Sequence, residues 1–265
     1  MKMRLEAKNV SCGYAAKTVI SGISLALNQG ESLCILGPNG IGKTTFFKTI
    51  LGFLALQSGQ ILLDGEDIHR WSRRKLAAKV GYVPQAHNPP FPFKVLDVVT
   101  MGRTAHLSFF SSPSQKDKEI AEEALCTLGI THLKDRIYTQ ISGGERQLVL
   151  IARALAQQPA FLIMDEPTAN LDFGNQIRVL NQINKLVQQA NLGVIMTTHF
   201  PNHAFYCASK VAVLGRDKMF TVGTADEVIT ESYLKAVYGV DVQIVDVGKR
   251  DNSLKVCVPV AANCG

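Results

Sequence analysis

The sequence predicts an α/β protein with a helical segment inserted into it. Three observations carry that expectation. The short, almost unbroken apolar runs "ESLCILG", "FLIMDEP" and "GVIMTTH" read as strands buried on both faces. A glycine-rich turn, "GPNGIGKTT" (Gly37 to Thr45), separates the first of these from a helical stretch. From Asn88 to about residue 158, strand patterning gives way to helical periodicity. With 265 residues, the chain can bury the core of one large domain.

In order along the chain, "RLEAKNVSCGY" and "KTVISGISLALNQG" alternate apolar with polar residues and read as strands. "ESLCILG" follows as a buried strand, then the glycine turn, then "KTTFFKTILGFL" as a helix. "GQILLDGEDI" suggests a hairpin turning at Asp64-Gly65. "RWSRRKLAAK" is helical and basic, and "VGYVPQ" is a strand. The proline-broken "NPPFPFKVLDVVTMG" leads into a helix. "SPSQKDKEIAEEALCTLGI" opens with capping residues and continues as another. "FLIMDEP" restores a buried strand, "FGNQIRVLNQINKLVQQA" a helix and "GVIMTTH" a further strand. The tail from Lys210 mixes strands with a helix near "ADEVITESYLKAVYG". Residues 1–87 and 159–265 thus form the α/β core with its β subdomain, and 88–158 the helical subdomain, of a single 1–265 domain.

Composition narrows the function classes. Hydrophobic residues make up 46% and charged residues 19%. No apolar run approaches the ~20 residues that a membrane-spanning helix needs. "MKMRLEAKNV" lacks an apolar signal core, so the chain is expected in the cytoplasm. Six scattered cysteines without a C-x-x-C pair read as free thiols. The net charge of +6 suits nucleotides, nucleic acid and anionic membrane equally. The basic run Arg70, Arg73, Arg74, Lys75 reads as a solvated helix face and gives no reason to expect a nucleic-acid partner.

The chemistry lies in two places. Gly37-x-x-x-x-Gly42-Lys43-Thr44 matches the P-loop pattern, with a strand before it and a helix after. Gly37, Pro38, Asn39, Gly40 and Gly42 form a loop whose N–H groups can curl around phosphates. The helix N-terminus adds partial positive charge. Lys43 is expected to reach the β- and γ-phosphates, and the Thr44 hydroxyl to bind Mg²⁺. "FLIMDEP" places Asp165 and Glu166 at a strand end, where open α/β sheets gather ligands. Asp165 is expected to hold Mg²⁺ through water, and Glu166 to act as general base on the attacking water. Together these motifs point to a nucleotide hydrolase.

"ISGGERQ" (Ile141 to Gln147), just upstream of "IARALAQQPAFLIMDEPTANLD", resembles the signature of ATP-binding cassette (ABC) ATPases. The resemblance covers about Leu5 to Val245. It implies a P-loop NTPase (RecA-like) core with an N-terminal antiparallel β subdomain and an inserted α-helical signalling subdomain. It also implies ATP and Mg²⁺ as ligands and a head-to-tail pair of identical subunits. In that pair Ser142 and Gly144, with Gly143 as an accessory contact, would reach the γ-phosphate in the other copy's cradle. The same map gives Tyr14 an adenine-stacking role and Thr45 an α-phosphate contact. Gln85 becomes a contact to Mg²⁺ and water, Asp172 part of the turn crossing the interface, and His199 the switch histidine that orients Glu166. Glu145 and Ile141 depart from the usual Gln and Leu.

Of the cassette types, one motif set, no heptad run and no cysteine pairs favour the energy subunit of a membrane transporter over a soluble cassette. Intact Lys43, Glu166 and His199 disfavour a regulatory protein without turnover. "VLDVVTMGRTAHLSFFSSPSQKDKEIAEEAL", with its Gly-Arg and Ser-x-x-Asp, resembles importers of iron–siderophore, haem and cobalamin, as does "VYGVDVQIV". An oxyanion such as molybdate also stays open as cargo. That resemblance implies two transmembrane permease subunits as partners, indirectly a solute-binding protein, and a peripheral place on the cytoplasmic face of the cell membrane. The Gln85 loop and the helical insertion would receive a permease helix, with "PPFPF" and "LSFF" as docking surface.

Overall fold

The structure is a computed structural model, described over residues 2–15, 17–85, 91–108, 111–215, 220–248 and 254–260. The chain opens with β1 (Arg4–Tyr14), β2 (Lys17–Asn28) and β3 (Ser32–Leu36), then α1 (Lys43–Ile50). Next come β4 (Leu56–Leu63), β5 (Glu66–Asp67), α2 (Arg73–Ala77) and β6 (Val80–Val83). Helices α3 (Val95–Thr100), α4 (Gln115–Thr127) and α5 (Gly143–Ala156) follow without an intervening strand. The core then resumes with β7 (Phe161–Met164), α6 (Phe173–Gln189), β8 (Gly193–Thr198), α7 (Pro201–Cys207), β9 (Lys210–Leu214) and β10 (Phe220–Gly223). The end comprises α8 (Ala225–Val228), α9 (Glu231–Tyr238), β11 (Val242–Val247) and β12 (Leu254–Pro259).

One sheet has the order β10-β9-β3-β8-β7-β6, and only β10 runs antiparallel to its neighbour. Its strands are buried on both faces, which explains their unbroken apolar sequences. Successive residues serve opposite sides. Leu33, Ile35, Phe161, Ile163 and Ile195 face one apolar cluster, while Cys34, Leu36, Leu162, Met164 and Met196 face the other. The first cluster is completed by α1, through Phe46, Phe47 and Ile50, and by the antiparallel sheet β2-β1-β4-β5. Helix α1 is therefore clamped between two sheets, which fixes the loop at its N-terminus.

The β4–β5 turn uses Asp64 (φ 51°) and Gly65 (φ 81°), as the Asp-Gly pair requires. On the opposite side of the large sheet, α3, α4 and α5 pack on one another, and the fully buried Tyr138 belongs to the same apolar cluster. Arg103 ties this helical part together. Its Nε lies 2.9 Å from Asp117 Oδ1, and its Nη1 donates to the Ala156 carbonyl at 2.8 Å. The Gly-Arg and Ser-x-x-Asp noted in the sequence are thus the two halves of one buried ion pair. Residue 88, the expected start of the insertion, lies outside the described residues.

The tail differs from its sequence reading. The single helix expected near "ADEVITESYLKAVYG" is two, α8 and α9, because Ile229 and Thr230 are extended and Thr230 caps α9 through the Tyr233 N–H. Helix α7 was not foreseen. Its one signal is Pro201 at the first helical position, and no side chain caps it. Cys12, Cys34, Cys126, Cys207 and Cys257 are free thiols. Among the described residues no helix is long and apolar enough to cross a membrane.

Candidate active site

Four neighbouring strands deliver the site to one edge of the parallel sheet. The register pairs Leu36 with Thr198, Met196 with Met164, and Met164 with Val83. The residues just beyond these strand ends are Gly37, His199, Asp165 and Pro84-Gln85. Sequence-distant groups therefore converge because their strands are parallel and in step.

The glycine loop has the backbone that its composition suggests. Gly40 and Gly42 adopt φ of 79° and 110°. A Cβ on Gly42 would stand 2.7 Å from the Val19 and Ile20 side chains, and one on Gly37 2.8 Å from the Leu214 carbonyl oxygen. Lys43 Nζ folds back to donate to the carbonyls of Gly37 (2.7 Å) and Pro38 (3.1 Å). Burial pushes its ammonium below the ordinary lysine value, and the Glu166 carboxylate 3.6 Å away opposes that shift.

Asp165 and Glu166 are both buried. The Thr44 hydroxyl donates to Asp165 Oδ2 and the Thr197 hydroxyl to Oδ1, each at 2.7 Å. Thr197 Oγ1 also accepts the Glu166 N–H at 2.9 Å. Thr197 was not singled out in the sequence, and its only signal is a hydroxyl at the end of an apolar strand. Glu166 holds φ at 45°, a left-handed conformation uncommon for a residue with a side chain. This aims its carboxylate at three groups: Lys43, Gln85 Nε2 (3.1 Å from Oε2) and His199 Nδ1 (3.4 Å from Oε2).

A cavity of about 410 Å³ opens over the glycine loop, Gln85 and Glu166; Asp165 and His199 do not line it. Asn39, Gly40, Gly42, Lys43, Thr44 and Thr45 form its floor, and Gln85 and Glu166 one wall. Tyr14 stands at its mouth with 49% of its surface exposed, and Val19, which sequence reasoning missed, lies beside it. The backbone N–H groups, the ammonium and the helix N-terminus suit a polyphosphate, and the exposed ring suits a planar base.

Ser142, Gly143, Gly144 and Asp172 lie elsewhere. Ser142 and Gly143 are exposed, at the start of α5. Ser142 and Glu145 form a reciprocal cap: the Ser142 N–H donates to the Glu145 carboxylate at 2.8 Å, and the Ser142 hydroxyl accepts the Glu145 N–H at 3.3 Å. These bonds hold the Glu145 carboxyl below its ordinary value. Asp172 caps α6 and accepts two bonds from Asn175, at 2.9 and 2.7 Å. Gly144 presses on that same Asn175: a Cβ there would stand 2.4 Å from its side chain. The two turns therefore pack together as one surface, and neither lines the chain's own cavity.

The basic run is largely satisfied within the chain. Arg74 donates to the Ala105 and His106 carbonyls, and Lys75 pairs with Glu66 and sits over the Trp71 ring. Of the expected docking residues, Phe91 and Phe93 are exposed and meet edge to face, while Pro89, Pro90, Phe109 and Phe110 lie outside the described residues.

Residues 20–169 match the family described as ABC transporter. An uncharacterised ABC transporter ATP-binding protein of Haemophilus influenzae is 44% identical, over 89% of each chain. The molybdate import ATP-binding protein MolC of the same organism is 36% identical over 90% of this chain and 89% of its own. The ferric enterobactin transport ATP-binding protein FepC of Escherichia coli is 31% identical over 92% and 90%. A solved structure described as an inward-facing metal-chelate type ABC transporter superimposes with a TM-score of 0.87 at 33% identity, covering 98% of both chains. A phosphate cradle on the edge of such a sheet, in a chain with these relatives, gives the conclusion: the protein belongs to the ABC transporter family, as one of its ATP-hydrolysing subunits.

Proposed function

We propose that this chain is the energy subunit of an importer of a metal chelate, such as iron–siderophore, haem or cobalamin. Two copies work beneath two permease subunits, on the cytoplasmic face of the membrane, with a solute-binding protein delivering the cargo. The observation that carries the paired arrangement is the position of Ser142. Its turn is exposed and lies outside the chain's own cavity, which is itself open to solvent. Each copy would close the other's nucleotide, with Gly143, Gly144 and Asp172 at the seam.

Within the cavity, Tyr14 would stack on adenine, and Thr45 and the loop N–H groups would hold the phosphates. Lys43 would leave the Gly37 and Pro38 carbonyls for the β- and γ-phosphates. Glu166 would take the proton of the attacking water, with His199 and Gln85 fixing its carboxylate. The oxygens of Thr44, Asp165 and Gln85 fit a small hard cation, which keeps several waters and takes few protein ligands. These three would hold Mg²⁺, which supplies neutralisation of phosphate charge.

Support for the permease contact comes from a groove of about 340 Å³ between the end of α1, α2 and the helical insertion. Phe53 (62% exposed) and Met101 (43% exposed) line it beside Arg73, which suits an amphipathic helix. A second cargo, molybdate, is favoured by the 36% identical MolC.

The test of the pair is Glu166→Gln. It should retain ATP binding, lose turnover and form a dimer with Mg-ATP on size-exclusion chromatography with light scattering. Only monomers at all protein concentrations would exclude the shared site. For cargo, cells lacking this chain should lose uptake of a labelled ferric siderophore, haem or cobalamin. Loss of molybdate uptake alone would favour the oxyanion.

A further inference from the structure

His199 is poorly fastened by polar bonds. Its Nδ1 comes within 3.4 Å of Glu166 Oε2, but it is buried and has no aligned hydrogen-bond partner. The ring is held instead by its neighbours. The Phe200 ring lies over it with centroids 4.0 Å apart, and the His203 ring backs Phe200 at 5.0 Å.

We infer that Phe200 and His203 are positioning residues that hold His199 against Glu166, and that the β11–β12 hairpin braces them from behind. The inference rests on the reading of His199 and Glu166 given above.

His203 is buried and spans the two loops that matter. Its Nδ1 lies 3.2 Å from Thr168 Oγ1, two residues beyond Glu166, and 3.4 Å from Thr198 Oγ1, immediately before His199. The Thr198 hydroxyl also accepts the Phe200 N–H at 3.1 Å. One imidazole thus couples the loop carrying the carboxylate to the loop carrying the histidine. Burial and the nearby His199 push its pKa down to about 4, so it stays neutral and its Nδ1 can accept from either hydroxyl. Other groups around it are apolar or uncharged: Phe200, Tyr206 and, across the cavity it lines, Leu234, Tyr238 and Val256.

The brace is Asn202. Its Oδ1 accepts the Cys257 N–H at 2.7 Å, and its Nδ2 donates to the Cys257 carbonyl at 3.4 Å. Asn202 therefore pairs with β12 much as a strand residue would, and Pro201 fixes the chain direction one residue earlier. Asn202 thus anchors to β12 a stretch of chain that leads back through Pro201 and Phe200 to His199.

Turnover and KM for ATP should be measured on the full chain with Phe200→Ala, Phe200→Tyr, His203→Gln and Asn202→Ala, beside His199→Ala. Phe200→Ala should lower kcat about tenfold, the effect of losing one aromatic contact, with KM within about twofold. Phe200→Tyr, which keeps the ring, should restore kcat to within about twofold of the parent. His203→Gln and Asn202→Ala should each cost a few-fold in kcat. Should Phe200→Ala unfold the chain, Phe200→Leu replaces it: kcat should fall several-fold with KM within about twofold, and a parent-like kcat would overturn the inference. A dead His199→Ala beside a fully active Phe200→Ala overturns the inference while leaving the site reading intact. A fully active His199→Ala removes the site reading itself.

Discussion

Thr44 and Asp165, 121 residues apart, share a hydrogen bond of 2.7 Å from hydroxyl to carboxylate. The contact joins the first turn of α1, where Thr44 lines the cavity, to the residue just beyond the end of β7. Asp165→Asn keeps the shape and removes the charge. It should raise the Mg²⁺ needed for half-maximal turnover about tenfold or more, with metal-free nucleotide binding little changed. A Mg²⁺ titration at fixed ATP checks this.

Gly144→Ala should separate nucleotide binding from pairing. The added Cβ would collide with Asn175 and push it off Asp172, disturbing both exposed turns at once. ATP affinity of the single chain should stay within about twofold, since neither turn lines its cavity. Placed in Glu166→Gln, the change should abolish the Mg-ATP dimer seen by light scattering. A persistent dimer would show that these turns are not the seam.

Removing Arg103 should destabilise the helical part of the molecule. Arg103→Ala leaves Asp117 buried without its cation and frees the carbonyl of Ala156 at the end of α5. The midpoint of denaturant unfolding should fall, and an unchanged midpoint would mean that water replaces the pair.

His203 should make the fold acid-sensitive. Its ordinary value is 6.5 and its folded value about 4, so the unfolded chain takes up the proton first as pH falls. Its contribution to stability is whole above pH 6.5, declines between 6.5 and 4, and is gone below. Over that window it amounts to about 3 kcal/mol. His203→Gln should flatten the slope of unfolding free energy against pH in this interval, and an unchanged slope would place the titration elsewhere.

Much of this was legible in the residues. The buried strands announce themselves as apolar runs because both their faces are covered, and the glycine loop announces itself because Gly42 has no room for a Cβ. The Ser142–Glu145 and Ser114–Asp117 caps lie three residues apart, within reach of local reading. What could not be read is what tertiary contact decides. The Arg103–Asp117 pair was visible only as two separate features. Thr197 looked like strand, and α7 is too short to show a period. The bonds from Asn202 to Cys257 join residues 55 apart in the chain, beyond any local reading.

The main chain at Glu166 sits where glycine would be at ease and glutamate is not. A library screened only for heat resistance should therefore favour glycine or asparagine there, which relax the backbone and forfeit the carboxylate. If Glu166 is the base proposed above, selection for sturdiness alone would select against turnover.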